Sequence, residues 1–558
     1  MIEALPHVSL RMKHIFQRIG THQIGRMLIA ATEETGRDLL WVLQRYPMDI
    51  TADAEALMRR LAAAFERRER QAEEIQLGNY TRQPCRTMAL PPRDYQLQAA
   101  ALANTTGALL VADDLGLGKT ATGITALVLE EGRFPALVVT LTHLVEQWRA
   151  EIERFVPGLR VFVPKVGTAH DLRAKVRQGR RKVHEGPLPD VVVLNYAKMH
   201  GWSEALAGWV QSAIFDEVQE LRHPTSAKYA ACRHIAGSVG MTVALSATPT
   251  YGYGEEWWSV MDCVRPGLLG TREEFLREWC TEVGDDKWKV KDPRALGSYL
   301  YGSGVAIRRR RADVKRELPP VQEVWHAIDC DATPLREVEA SAMQLAHAIL
   351  NAQGEDRKKL RQMSSDFVGA LRQATGLAKA PHVAAFVRML VEQNGNVVLY
   401  GWHRSVYHVW EKALGDLGIA WYTGSESGSA KHKEAQRFKS GEAKVLIMSL
   451  RSGAGLDGLQ SVCNTVVIGE LDWSPQVHAQ AIGRLARDGQ TDPVFAYFLW
   501  TDDGSDLTMR AVADDKHMQL VGVRDPLDSL VEEAEVDPDH VKRLAEAYLG
   551  RHKGAARS

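Results

Sequence analysis

Residues 111–124 read VADDLGLGKTATGI. The apolar run ALLVA (108–112) leads into a glycine-bearing turn, and KTATGITALVLE follows with helical texture. A strand, a glycine loop and a helix in that order aim the amides of a helix start at a bound anion. Gly118, Lys119 and Thr120 fill the last three positions of a phosphate loop, with Asp113 where the pattern has its first glycine. In such a loop Lys119 reaches the β- and γ-phosphates of a nucleoside triphosphate, and the Thr120 hydroxyl holds Mg2+. Asp114 and Gly116 complete the expected cradle.

Working outward, short apolar runs recur: ALVVT (136–140), VVVL (191–194), SAIF (212–215) and MTVAL (241–245). A second series follows a mostly helical stretch: NVVLY (396–400), KVLIM (444–448), TVVIG (465–469) and VFAYF (494–498). Continuous apolar runs of this length predict strands buried on both faces, hence parallel sheets flanked by helices. The fold class expected is α/β with two tandem lobes, spanning residues 86–320 and 393–520. Three further segments complete the division: a helical accessory region (1–85), a helical linker (321–392) and an acidic tail (521–558). The first lobe also holds a helical insertion at about 251–307, in which Thr271 and Glu274 of GTREEFLREW form a capping box.

A chain of 558 residues exceeds what one core organises, so several domains are expected. The formal charge is only -1, yet residues 501–540 carry twelve Asp/Glu against three Lys/Arg, a local -9 that leaves +8 on the rest. The body is therefore mildly basic, as phosphate binding requires. Six scattered cysteines without a Cys-x-x-Cys pair argue against a disulfide framework or a zinc module. No apolar run approaches the ~20 residues of a membrane span, and MIEALPHVSLRMKHIF lacks a secretion-signal core. The expectation is a cytoplasmic monomer with no membrane partner, nuclear if the source is eukaryotic.

A phosphate cradle hydrolyses nothing without a carboxylate for the metal and a base for water. SAIFDEVQEL supplies both: Asp216 for Mg2+ and Glu217 to polarise the attacking water. Upstream, PPRDYQ places Arg93, Tyr95 and Gln96, an aromatic face and a carboxamide suited to an adenine base. Downstream, HAQAIGRLARDGQ puts Gln480, Arg484 and Arg487 at helical spacing on one face, where planar cations suit a γ-phosphate in its transition state.

The ordered set PRDYQ, DDLGLGKT, LTHLVEQW, DEVQ, LSATPT, RRRRADVKRELPP, GLDGLQ and QAIGRLARDGQ resembles the Swi/Snf branch of superfamily-two helicases over roughly residues 86–520. Aspartate at the first loop position is usual there. The resemblance implies two RecA-like lobes with ATP and Mg2+ between them. It makes Gln96 the adenine reader, Lys119 and Thr120 phosphate and metal ligands, Asp216 and Glu217 the hydrolytic pair, and Arg484 and Arg487 arginine fingers. Ser246 and Thr248 of LSATP, and Trp473 of ELDWSP, would couple hydrolysis to lobe motion. Double-stranded DNA would be held through its backbone by Thr142, His143, Asn195, Tyr196, Thr423, Gly424 and Ser425. Arg308 and Arg309, in the densest basic run, would add a phosphate or interlobe contact.

Two departures from the family pattern stand out. Gln219 replaces the histidine of Asp-Glu-Ala-His, and Asp457 with an extra Gly458 alters the Ala-Gly-x-Gly-Leu-Asn motif. The compact length is similar to bacterial, phage and annealing-helicase-like members. The implied function is a DNA-dependent ATPase that translocates on duplex DNA and remodels what it meets. The alternatives are a strand-separating DNA or RNA helicase and an ATP-gated DNA-binding scaffold, with a protein partner on the amino-terminal helices.

Overall fold

The computed structural model describes residues 1–15, 25–46, 48–80, 83–173, 175–178, 181–184, 186–283, 288–314, 319–336, 338, 357–450, 456, 458–487 and 489–526. The chain divides into two units. One comprises Met1–Arg310 and a returning segment from Gln519, and the other runs from Arg311 to Met518. The division thus falls ahead of the expected boundary at residue 320.

The first unit is built on a seven-stranded parallel sheet. Its strands are β1 (Ala108–Val111), β2 (Ala136–Thr140), β3 (Val161–Phe162), β4 (Val191–Asn195), β5 (Ser212–Asp216), β6 (Met241–Leu245) and β7 (Ala306–Ile307), in the order β7-β1-β6-β5-β2-β4-β3. Successive residues feed opposite cores. Leu110, Val139, Leu194, Phe215 and Ala244 pack on one face, and Leu109, Val138, Val193, Ile214 and Val243 on the other. The uninterrupted apolar runs are the signature of this two-sided burial.

Accessory helices α1 (Glu33–Arg45) and α2 (Ala52–Gln76) are capped by Thr32 and Thr51, and Ala72 and Ile75 of α2 join the sheet's second core. Gly36 lets them close, since a Cβ there would lie 2.5 Å from the Leu61 Cβ. The region read as helical also contains an antiparallel pair, Ile2–Glu3 with Arg26–Met27. Three further helices flank the sheet: α3 (Asp94–Thr106), α4 (Lys119–Val128) and α5 (Val145–Phe155). The insertion expected to be helical holds helices Gly254–Val264, Arg272–Trp279 and Pro293–Gly302, but also a strand pair, Cys280–Glu282 with Trp288–Val290, and ends in β7. The Thr271–Glu274 capping box forms in both directions.

The second unit carries six parallel strands: β8 (Val321–Ala327), β9 (Val397–Gly401), β10 (Ile419–Tyr422), β11 (Val445–Ser449), β12 (Thr465–Ile468) and β13 (Val494–Trp500). Their order is β8-β13-β12-β9-β11-β10. Strand β8 lies at the start of the linker expected to be helical. The long helix α6 (Arg357–Asn394) follows, and its buried Lys379 donates to Asp506 Oδ2 at 2.6 Å and to the Leu499 carbonyl at 2.7 Å. Helix α7 (Pro475–Ile482) follows β12, and α8 (Asp506–Arg524) follows β13. The last turns of α8 belong to the first unit, where Leu520 and Val523 enter the core and Gln519 Oε1 accepts from the Val290 amide at 3.1 Å. Residues 521–526, expected in a tail, are therefore part of a packed element, while the remainder of that tail lies outside the described residues.

Candidate functional site

The loop between β1 and α4 turns on Gly116 (φ +86) and Gly118 (φ +72), both left-handed. The left-handed φ favours glycine at 118, and a Cβ there would also stand 2.7 Å from Gln96 Nε2, displacing that amide. Lys119 begins the helix, and its Nζ donates to the carbonyls of Asp113 (2.9 Å) and Asp114 (3.1 Å). Burial pushes the Lys119 ammonium below its ordinary range, opposed by Asp113, Glu217, Asp114 and Asp216. The negative charge of these four residues favours the ammonium that burial disfavours. Thr120 sits in the first turn of α4, partly exposed.

Segment 93–96 braces this loop. Gln96 accepts from the Arg93 amide at 3.0 Å and donates to the carbonyls of Leu117 (3.2 Å) and Gly118 (3.3 Å). The Tyr95 hydroxyl donates to the Leu117 carbonyl at 2.9 Å, and Arg93 Nη1 donates to Tyr95 at 3.2 Å. The Gln96 amide is therefore engaged with the loop rather than free to read a base.

Strand β5 ends in Asp216, whose Oδ2 accepts from Trp148 Nε1 (2.7 Å) and Thr140 Oγ1 (2.8 Å). Burial and the neighbouring Glu217 charge raise its pKa to about 6, against the pull of those two hydrogen bonds and of Lys119. Glu217 has φ +52 and ψ +53, and among the described residues it alone is a non-glycine in that region. Strain of this kind costs on the order of 1–3 kcal/mol and persists where surrounding structure enforces it. Gln219 Nε2 donates to Glu217 Oε2 at 2.5 Å, so the residue in the histidine position holds the proposed base. The buried Gln219 Oε1 has no hydrogen-bond partner among the described residues. After β6, Ser246 Oγ accepts from the Thr248 amide at 2.9 Å, both residues buried.

Four expected nucleic-acid contacts in this unit are placed elsewhere. Arg309 is buried and paired with Asp113, whose side chain has no exposed surface, through Nε to Oδ1 at 3.0 Å and through Nη2 to Oδ2. It also donates to the Tyr95 carbonyl. Arg308 is 7% exposed and bridges Asp114 (2.8 Å) and Asp525 (3.2 Å). The reason is local: β7 pairs with β1, and the Asp114 amide continues that pairing by donating to the Arg309 carbonyl at 3.0 Å. The arginines therefore land beside the loop, and Asp113 and Asp114 hold them rather than a nucleotide. Asn195 caps the turn after β4 by accepting from the Lys198 amide at 3.0 Å. Tyr196 is buried and donates to the Asp216 carbonyl at 2.7 Å. Thr142 and His143, after β2, remain exposed.

In the second unit, α7 stops at Ile482 with Gly483 as its cap. Gln480 lies on the helix, but Arg484 and Arg487 lie in the turns beyond it, so the three do not share one helical face. Arg484 is close enough to Tyr400 and Tyr422 for its charge to oppose the rise that burial imposes on both phenols. Arg311 Nη2 donates to the Ala486 carbonyl at 2.5 Å, tethering the same turn. Thr423 is buried, its hydroxyl donating to Glu426 Oε1 at 2.8 Å, whereas Gly424 and Ser425 are exposed, Ser425 accepting from Arg404 at 2.9 Å. The Trp473 carbonyl accepts from Lys516 Nζ at 3.2 Å. Asp457 lies outside the described residues.

Residues 37–376, more than half of the chain, match the SNF2-related domain, and residues 381–489 match the helicase conserved C-terminal domain. The chain belongs to the SNF2-related family. Among similar proteins, the DNA annealing helicase and endonuclease ZRANB3 of Mus musculus is 24% identical over 433 residues, covering 74% of this chain and 38% of that protein. The putative ATP-dependent helicase/translocase YwqA of Bacillus subtilis (strain 168) is 25% identical over 410 residues, covering 68% and 42%. The chain spans about two fifths of the length of these SNF2-type relatives. A solved SWI2/SNF2 ATPase core of Sulfolobus solfataricus in complex with dsDNA shares 18% identity at a TM-score of 0.37, covering 81% of this chain and 100% of that one. Among the described residues, no helix is long and apolar enough to cross a membrane.

Proposed function

We infer that this SNF2-family chain is an ATP hydrolase whose turnover is driven by duplex DNA, and that it translocates on that duplex and remodels the DNA or the complexes it meets. The observation that carries the reading is Glu217, held in a strained left-handed conformation beside Asp216 and near Lys119. A surface carboxylate has no reason to bear such strain, whereas a base aimed at one water does.

The donor set fits Mg2+. Asp216 is a half-buried carboxylate whose ionised form is disfavoured by its surroundings, which a cation reverses. Among the described residues no three His, Cys, Asp or Glu side chains converge as a cage. Asp216 and the Thr120 hydroxyl are the residues that would hold the ion. Bound there, Mg2+ would supply charge neutralisation for the triphosphate.

The chain's own residues do the rest. Lys119 exchanges two loop carbonyls for phosphate oxygens, and the amides from Gly118 onward face the same anion. Glu217 orients water and accepts its proton, with Gln219 fixing the carboxylate. Arg484 and Arg487 of the second unit are the proposed stabilisers of transition-state charge. Thr142 and His143 hold the DNA backbone, with Gly424 and Ser425 as contacts on the second unit.

The test is Glu217→Gln. The variant retains ATP binding and loses roughly two or more orders of magnitude of turnover. Unchanged turnover would remove Glu217 from the role of base.

A further inference from the structure

We propose that Arg222 is a positioning residue for the hydrolytic step, fastening the turn that carries Glu217 and Gln219 to the segment that follows β6. The proposal rests on Glu217 as the base, and three observations carry it.

The first is the loose end of Gln219. Its Nε2 donates to Glu217 Oε2 at 2.5 Å, while its buried Oε1 has no hydrogen-bond partner among the described residues. A buried carboxamide is ordinarily held at both ends. Here the acceptor end holds nothing, so the aim of the amide at Glu217 depends on the backbone from which the side chain springs. Glu217 itself is left-handed, a conformation that persists only where its surroundings enforce it. The turn after it, Val218–Leu221, is short, and it is joined to Glu217 by the Glu220 amide, which donates to the Glu217 carbonyl at 3.0 Å.

The second is what grips that turn. Arg222 Nη1 donates to the Gln219 carbonyl at 3.0 Å, and the Arg222 amide donates to the same oxygen at 3.3 Å. The guanidinium lies over the Tyr251 ring, its Cζ 4.5 Å from the centroid, and its Nε stands 3.8 Å from Glu256 Oε1. One planar cation thus meets a carbonyl, an aromatic face and a carboxylate, contacts that the point charge of a lysine cannot make together. The Glu256 side chain is buried and that of Arg222 mostly so, and solvent therefore screens this pair less than one on the surface.

The third is what lies at the other end. Strands β5 and β6 are neighbours with Asp216 opposite Leu245, so the segments leaving them, 217–222 and 246–253, start side by side. Glu256 Oε2 accepts from the amides of Tyr251 (2.6 Å) and Tyr253 (3.3 Å), which pins the second segment to the start of the helix Gly254–Val264. That segment contains Ser246 and Thr248, the residues expected to couple hydrolysis to motion. Arg222 therefore ties the turn of the base to a segment that is itself held, and the contacts run from Glu217 through Gln219 and Arg222 to Tyr251 and Glu256.

The experiment compares the full chain with R222M, Y251L, E217Q and the double variant E217Q/R222M, measuring steady-state ATP turnover at saturating duplex DNA with thermal unfolding alongside. R222M keeps most of the stem and removes the cation. The expected result is kcat lowered about ten- to a hundredfold, the cost of an ångström-scale misplacement, with KM for ATP held within about twofold. Y251L, which leaves the guanidinium and takes the ring from under it, should show the same split at smaller size, and it carries the test should R222M not fold. In E217Q, whose base is already gone, adding R222M should lower turnover no further. A kcat within about twofold of wild type in both R222M and Y251L would overturn the proposal. So would an R222M penalty undiminished in the E217Q background, which marks an action independent of the base, or a rise in KM that accounts for the whole loss, which marks a defect in ATP binding. Unchanged turnover in E217Q removes the base reading and this proposal with it, whereas a loss in E217Q beside unaffected R222M and Y251L removes the proposal alone.

Discussion

Two arginine-rich segments of the first unit differ in one respect that decides their roles. Arg308 and Arg309 sit beside the nucleotide loop with Asp114, Asp525 and Asp113 as partners, and almost none of their side-chain surface meets solvent. The segment 171–185 carries its own two-stranded pair, Lys175–Gln178 with Arg181–His184, and has an acid at each end: Asp171, which pairs with Arg173 at 2.7 Å, and Glu185. Charge density is thus a poor guide to a polyanion site. A buried cation held by a carboxylate is a structural clamp.

The sharpest way to break this contrast is Asp113→Asn. It leaves the Arg309 guanidinium buried without its counter-charge, and removing one partner of such a pair costs about 3–5 kcal/mol. The first unit's thermal transition should fall sharply, and ATP affinity should fall with it. A fall of less than about 1 kcal/mol, below the range for breaking a buried pair, would show the clamp to be incidental.

Arg308→Ala comes next. Asp114 is partly exposed, so the loss should be about 1–3 kcal/mol, the usual range for an unpaired buried polar group. The test is whether KM for ATP rises while kcat at saturating ATP holds, since Arg308 positions the loop without touching the reacting atoms.

A smaller effect concerns pH. The raised pKa of Asp216 means that the folded chain binds a proton more tightly than the unfolded one, so this group's contribution to stability is fullest below the ordinary carboxylate pKa and is lost as pH rises towards about 6. The ionised form is the one that serves Mg2+, so kcat/KM for ATP should show an acid limb with an apparent pKa near 6 that follows Asp216. Asp216→Asn should abolish turnover while raising the ligand-free chain's stability at neutral pH. A flat profile down to the ordinary carboxylate range would contradict the burial argument.

Much of this was legible in the sequence because two-sided burial writes itself as uninterrupted apolar runs: ALVVT, VVVL, SAIF and MTVAL became strands within a residue of where they were read. Strands β3 and β7 are two residues long, too short to leave a pattern, and β8 (VQEVWHA) is a mostly half-exposed edge strand that breaks the apolar run. Lys119, Asp216 and Glu217 were readable because loop and strand end each carry local signals. The clamp was not, since Arg309 and Asp113 lie 196 residues apart in the chain. Two misreadings had signals in plain view. Asn195 precedes a turn, where asparagine is a favoured cap, and Gly483 marks the end of α7 before Arg484. The left-handed backbone at Glu217 has no sequence signature.

The most direct measurement is steady-state ATP turnover by the full chain titrated with duplex DNA, at low and high salt, with Glu217→Gln alongside. Turnover that rises with duplex and saturates, that needs more DNA as salt increases, and that vanishes in the variant is the predicted result. Turnover indifferent to duplex at every salt concentration would contradict the account.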